Sequence, residues 1–153
     1  MGHYYFDSSA LVKRYVAETG TDWIRRLCAL GAGHTLYTVR ISGAEIIAAL
    51  FRRTRMGTLA VADAQAAATQ FKADLRNHYQ IVEVTEQLID LAMTLAEKHG
   101  LRGYDAVQLA AALELQAARA ALSLSTITFV CADDPLNKAA KAEGLPAENP
   151  NDY

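Results

Sequence analysis

The chain is poor in the features that tie a protein down covalently or hold it in a bilayer. It has only two cysteines, Cys28 and Cys131, which lie far apart and fit no CxxC or zinc-ligand spacing. They read as small core residues rather than as a disulfide, which fits a reducing, cytoplasmic setting. No apolar stretch is long enough to span a membrane. Met1-Gly2-His3 leads straight into an apolar run with no basic region or cleavage site, so a cytoplasmic protein with no membrane partner is expected. Positive charge is not in excess either. Fifteen Lys and Arg against seventeen Asp and Glu give a net charge of −2, which argues against a strongly basic nucleic-acid binder. Internal repeats, linkers and low-complexity segments are absent apart from a richness in alanine. What remains is 153 residues, 52% hydrophobic and 21% charged. That is enough to bury one ordinary core over residues 1–153, and too apolar for disorder.

The charges that are present are clustered. Lys13-Arg14, Arg25-Arg26 and Arg52-Arg53-Thr54-Arg55 form local basic groups, while acids recur one to a strand end. A balanced total can therefore hide a positive rim around a negative centre.

The chain is organised around His3-Tyr4-Tyr5-Phe6-Asp7-Ser8-Ser9. An unbroken apolar run of this length suits a strand buried on both faces of a parallel sheet. Asp7 then sits just outside its carboxyl end, where open α/β sheets place their ligands. Further strands are expected at Leu36–Val39, from Tyr79 to Val84 and from Ile127 to Ala132, with an edge strand or a frayed end after Ala147. Helices alternate with them. One starts at Thr21 and carries Trp23, Ile24, Leu27 and Leu30. Another opens at Ser42 with Ile47, Leu50 and Phe51 inward. An alanine-rich helix presents Ala64, Ala67, Ala68, Phe71 and Leu75, and one from Thr85 to a stop at Gly100 presents Leu88, Leu91, Ala92 and Leu95. A helix with Ala106, Leu109, Ala110 and Leu113 follows Leu101-Arg102-Gly103, and a short one ends at Gly144. This alternation predicts an α/β fold of three layers, a parallel sheet with helices on both faces.

Four acids stand at the strand ends or helix starts, and local structure offers each of them a role. Asp7, or a serine after it, can cap the next helix. Glu45 completes a Ser-x-x-Glu capping box with Ser42. Asp105 falls in a first helical turn, where negative charge complements the macrodipole. Asp134, before Pro135, is the natural N-cap, which leaves Asp133 unexplained by capping. The joint reading is different. Asp7, Glu45 and Asp133 follow strands that end on one sheet edge, and Asp105 joins them if its helix starts there. Carboxylates gathered in this way repel one another unless a cation neutralises them. Oxygen donors without histidine or thiolate suit magnesium, with manganese as the alternative. Such a cation polarises a phosphoryl oxygen and activates water for phosphodiester hydrolysis, while nearby arginines hold phosphates. The run Arg52-Arg53-Arg55 also complements the dipole at a helix C-terminus, a role compatible with phosphate binding.

Tyr5-Phe6-Asp7-Ser8-Ser9-Ala10-Leu11-Val12-Lys13 closely resembles the opening motif of PIN-domain ribonucleases, in particular VapC-like toxins of type II toxin–antitoxin pairs. Ser42-Gly43-Ala44-Glu45, Tyr104-Asp105-Ala106-Val107-Gln108-Leu109-Ala110 and Ala132-Asp133-Asp134-Pro135-Leu136 match the later motifs in order. The resemblance implies a PIN-like fold over the whole chain and divalent-metal-dependent cleavage of RNA. It also implies a cognate antitoxin that blocks the site, and a homodimer. By position it makes Asp7 and Asp105 the principal metal ligands, with Glu45 and Asp133 completing a catalytic cluster. Ser9 becomes a supporting hydrogen-bonding residue on the substrate side, with Arg52 and Arg53. Cys131 stands where threonine or serine is common, and Gln108 where histidine is common. A DNA nuclease using the same acids and an inactive protein-interaction module are the competing readings; against the second, no acid of the matched set is missing.

Overall fold

The computed structural model describes all residues, Met1–Tyr153. The apolar run after Gly2 forms β1 (His3–Phe6), which pairs in parallel with β2 (Thr35–Val39) on one side and β4 (Thr128–Val130) on the other. β3 (Tyr79–Val82) and β5 (Ala147–Glu148) complete a parallel sheet of order β3-β2-β1-β4-β5. The chain thus builds outward from β1 in one direction, then crosses back to lay β4 on the other side. That reversal makes the cleft outside the carboxyl ends of β1 and β4 a topological switch point, the usual ligand position of an open α/β sheet.

Alternation along the strands divides the core into two layers. Tyr5 and Phe129, stacked with centroids 5.7 Å apart, face one side. There they meet Leu88 and Leu95 of α5 (Glu86–His99), Leu109 of α6 (Gly103–Ala121) and Leu136 of α7 (Asp134–Ala142). Phe6, Leu36 and Val130 face the other side, as a period of two requires. Their neighbours are Leu11 of α1 (Ser8–Leu11), Ile24 of α2 (Thr21–Cys28), Ile46 and Leu50 of α3 (Ser42–Arg55), and Phe71 of α4 (Val61–Asn77). The result is the expected α/β arrangement, a parallel sheet between two helical layers. No helix is long and apolar enough to cross a membrane.

Several local expectations hold and several move. α5 starts on Thr85, whose Oγ1 accepts from Leu88 N at 3.1 Å, and ends on left-handed Gly100. α2 stops at Cys28, its last buried residue, and the chain reverses through left-handed Gly33 to enter β2. Leu30, expected to lie on that helix, falls beyond it and is 80% exposed. The inner stripe of α3 is Ser42, Ile46 and Leu50, shifted from the expected face: Leu50 is buried as expected, while Ile47 and Phe51 are only partly buried. The shift removes the capping box: the cap position is Ile41 and has no side-chain bond. Ser42 points into the core instead, its Oγ accepting from Thr38 Oγ1 at 2.8 Å. At α7 the cap is Asp133, which accepts from Leu136 N at 3.0 Å, and not Asp134, which accepts from Asn149 Nδ2 at 2.8 Å. Pro135 then occupies the second helical position, where a missing N–H leaves no intrahelical bond unmade.

Candidate active site

Asp7 emerges from the buried central strand, its backbone N–H donating to Val130 O at 3.1 Å. Its carboxylate serves as the cap of α1, with Oδ1 accepting from Ala10 N at 3.0 Å. Capping and a place at the carboxyl edge therefore coexist in one residue. The side chain is almost wholly buried and surrounded by donors. Ser9 Oγ lies 2.8 and 2.9 Å from its two oxygens, and Cys131 Sγ donates to Oδ2 at 3.2 Å. Ser9 Oγ also accepts from Ala132 N at 3.0 Å, and Cys131 Sγ accepts from Asp133 N at 3.3 Å, so the same two side chains tie Asp7 to the β4–α7 turn. Burial pushes the Asp7 carboxyl up to about 7 against the pull of Ser9, Ala10 N–H and Cys131, and the nearby Asp105 adds to the rise.

Glu45, in the first turn of α3, is half-buried, and its Oε1 accepts from Gln108 Nε2 at 2.9 Å. Gln108 is a hub. Its Nε2 also lies 3.0 Å from Ser8 Oγ and 2.9 Å from Ser42 Oγ, while its Oε1 accepts from Tyr5 OH at 2.8 Å. One buried amide of α6 thus joins β1, α1 and α3. Burial raises the Glu45 carboxyl and Asp105 raises it further, opposed by the bonds from Gln108 and Ser8. Asp105, in the first turn of α6, is raised by burial and then by Asp133, and lowered by Arg102. The four acids therefore form one electrostatic group linked through Asp105. No three Asp, Glu, His or Cys side chains are arranged to enclose a metal ion. The coupling among the acids acts at longer range than direct ligation of one point.

The basic rim is divided. Arg52 and Arg55 line a groove of about 430 Å³ together with Glu45, Ala48 and Tyr104. Arg53 takes no part, because its Nη2 donates to Glu18 Oε2 at 2.9 Å. A second, largely apolar groove of about 440 Å³ lies between α5 and α6, with Ile89, Met93, Val107, Arg102 and Tyr104 in its walls. Arg102, Tyr104 and the hub role of Gln108 were not expected from the sequence. Arg102 and Tyr104 flank Gly103 in the turn that delivers Asp105, and that proximity was the only signal available.

The PIN domain family model matches residues 4–141. Among solved structures, PAE2754 from Pyrobaculum aerophilum superposes with a TM-score of 0.62 at 20% identity, covering 95% of this chain and 83% of that one. VapBC2 from Rickettsia felis, in a structure bound to a DNA fragment from their promoter, gives a TM-score of 0.62 at 15% identity, covering 96% and 98%. At these identities the likeness is one of fold. Comparison with curated proteins gives no match.

Proposed function

This chain belongs to the PIN-domain family, and on that premise we propose that it is a divalent-cation-dependent endoribonuclease, the toxin of a toxin–antitoxin pair. The observation that carries the reading is the electrostatic group of Asp7, Glu45, Asp105 and Asp133 at the sheet's switch point, whose first three carboxyls are all raised by burial and by a neighbouring acid or its field. Mutually repelling carboxylates, one buried and three half-buried, with only oxygen donors fit a hard cation, magnesium first and manganese second. Asp7 and Asp105 would hold it, with Glu45 and Asp133 completing the group. When bound, such an ion supplies Lewis acidity toward a phosphoryl oxygen and activates water.

The chain's own residues divide the remaining work. Ser9 and Cys131 orient Asp7 and hold it against the β4–α7 turn. Gln108 fixes Glu45 through Oε1, which leaves Oε2 to take a proton from the attacking water. Arg52, Arg55 and Arg102 bind phosphates on either side of the scissile bond, a contact that positions the strand without reading its sequence. The same reading includes a cognate antitoxin that covers the acidic edge, and a homodimer; the fold shared with VapBC2 is what supports the antitoxin. The test uses end-labelled RNA and DNA strands of one sequence, each with magnesium or with excess chelator. RNA cut only in magnesium, with DNA intact, is the expected result. Cleavage in chelator would remove the cation mechanism, and equal cleavage of DNA would remove the ribonuclease assignment.

A further inference from the structure

Asp133 differs from the other three acids in what carries it. Asp7 follows the central strand, and Glu45 and Asp105 lie in the first turns of long helices, whereas Asp133 lies in the turn between β4 and α7. Ser9 and Cys131 hold one side of that turn, through Ala132 N and Asp133 N. The segment that follows β5 holds the other. Cys131 N donates to Glu148 O at 3.0 Å, Asn149 Nδ2 donates to Asp134 Oδ1 at 2.8 Å, and Asn151 Nδ2 reaches Ala132 O at 3.4 Å. Asn149 is itself fixed, because its Oδ1 accepts from Asn151 N at 2.9 Å.

β5 has only two residues, so sheet pairing alone gives this segment few bonds. It is fastened instead to α2. Gly20, the cap of α2, has a φ of +87°, and a Cβ there would lie 2.3 Å from Pro150 O, so the Pro150 backbone rests directly on the glycine. Pro150 is buried. Three residues on, the Tyr153 ring stacks on Trp23 with centroids 4.3 Å apart and planes 3° apart, and Tyr153 OH donates to Glu148 Oε2 at 2.9 Å. Residues 149–153 therefore form a strap fastened to α2 and to the turn that carries Asp133. Packing alone would call for the glycine seat and the aromatic stack. It would not call for two asparagine amides bonded to polar atoms of that turn.

We propose that this strap positions Asp133, with Asn149 and the Trp23–Tyr153 stack as positioning residues of the cation site. The inference rests on the reading of the four acids as one cation group and adds residues to it. Asn149 fixes the start of α7 through Asp134, Asn151 fixes Ala132, and the stack on Trp23 keeps both amides in place. A loosened strap leaves the turn to Ser9 and Cys131, and Asp133 then moves away from the other acids part of the time.

The test measures manganese uptake by the full chain, with the free ion read by electron paramagnetic resonance, beside thermal unfolding of each variant. Trp23→Ala and Asn149→Ala should each weaken uptake about tenfold, as expected when a group that orients a metal ligand is removed. Trp23→Phe should retain the parent's uptake, because the stack needs only a ring. Phe71→Leu, a core substitution in α4, should lower Tm and leave uptake unchanged. Coupling of binding equilibria is reciprocal, so the cation should in turn seat the strap. Trp23 is the only tryptophan, and in Asn149→Ala its emission should move back toward the parent's when magnesium is added. Parent-like uptake by both Trp23→Ala and Asn149→Ala, whatever their Tm, would overturn this inference alone and leave the strap as packing. An equal loss of uptake in Phe71→Leu would also overturn it, since lowered stability would then account for the effect. Absence of manganese uptake by the parent would instead overturn the cation reading on which it rests.

Discussion

Replacing Asp7 by asparagine should stabilise the cation-free protein at alkaline pH, although Asp7 caps a helix and accepts bonds from three groups. The native carboxyl is only 3% exposed and is raised from 3.8 to about 7. Between those two values the native state binds more protons than the unfolded chain, so stability is greatest below the lower one and is lost as pH rises through the higher one. The gap corresponds to about 4 kcal/mol. Asparagine keeps an oxygen for Ala10 N–H and is as good a cap as aspartate. Its amide nitrogen does, however, meet the donors Ser9 and Cys131, which offsets about 2 kcal/mol. A net gain of about 2 kcal/mol at pH 8 raises Tm by roughly 4–8 °C in a chain of this size. At pH 5 the native carboxyl holds its proton, the charge cost falls by roughly two-thirds, and the two proteins should melt together. Magnesium should raise the parent's Tm at pH 8, because a ligand of the native state alone shifts unfolding by mass action, and should raise the variant's much less. Calorimetric scans in chelator at both pH values, then with magnesium, decide it. A variant less stable at pH 5 and pH 8, with a parent indifferent to magnesium, would leave Asp7 as a helix cap and no more.

The two halves of the arginine run should behave differently. Neutralising Arg52 and Arg55 should lower the salt slope of RNA binding by about two, as expected when two phosphate contacts are lost. Arg53→Ala, which breaks only the pair with Glu18, should leave the slope intact and cost less than about 1 kcal/mol in urea unfolding. An Arg53 variant with the larger loss of slope would reverse the assignment. Gln108→Leu should cost roughly 2–4 kcal/mol, because it leaves the Tyr5 hydroxyl and Ser42 short of partners in a buried setting, and it should lower turnover by releasing Glu45. Urea unfolding and single-turnover cleavage read the two effects, and undiminished turnover would remove the positioning role of Gln108.

Much of the fold was legible because it lies in local pattern. β1 declares itself as an apolar run that ends in an acid, and α5 by a threonine cap and a terminal glycine at the right spacing. The ordered acids marked the sheet edge because strand ends in a parallel sheet must share one. The details that moved depend on orientation or on distant partners. Ser42-x-x-Glu45 has the spacing of a capping box, yet Ser42 faces a core whose Gln108 is 66 residues away. Asp133 and Asp134 both stand where a helix that contains Pro135 begins, and only the backbone decides which one caps it. Arg53 reads like Arg52 until Glu18, 35 residues earlier, is brought alongside. Asp74 looks like an ordinary polar position of α4. It is buried because Tyr15 OH, 59 residues away, donates to it at 2.7 Å, with Arg14 at 3.5 Å. The exposure of Tyr104 left no trace in the sequence, since the same tyrosine would serve equally well in a core.

The central claim is that Asp7, Glu45, Asp105 and Asp133 act together as one cation site, and titration of manganese with the free ion read by electron paramagnetic resonance tests it most directly. The parent should take up manganese saturably. Asp7→Asn and Asp105→Asn should each weaken that uptake by more than about tenfold, while Asp74→Asn, a buried acid of a separate network, should leave it unchanged. A parent that binds no manganese, or equal uptake by the parent and all three variants, would contradict the account.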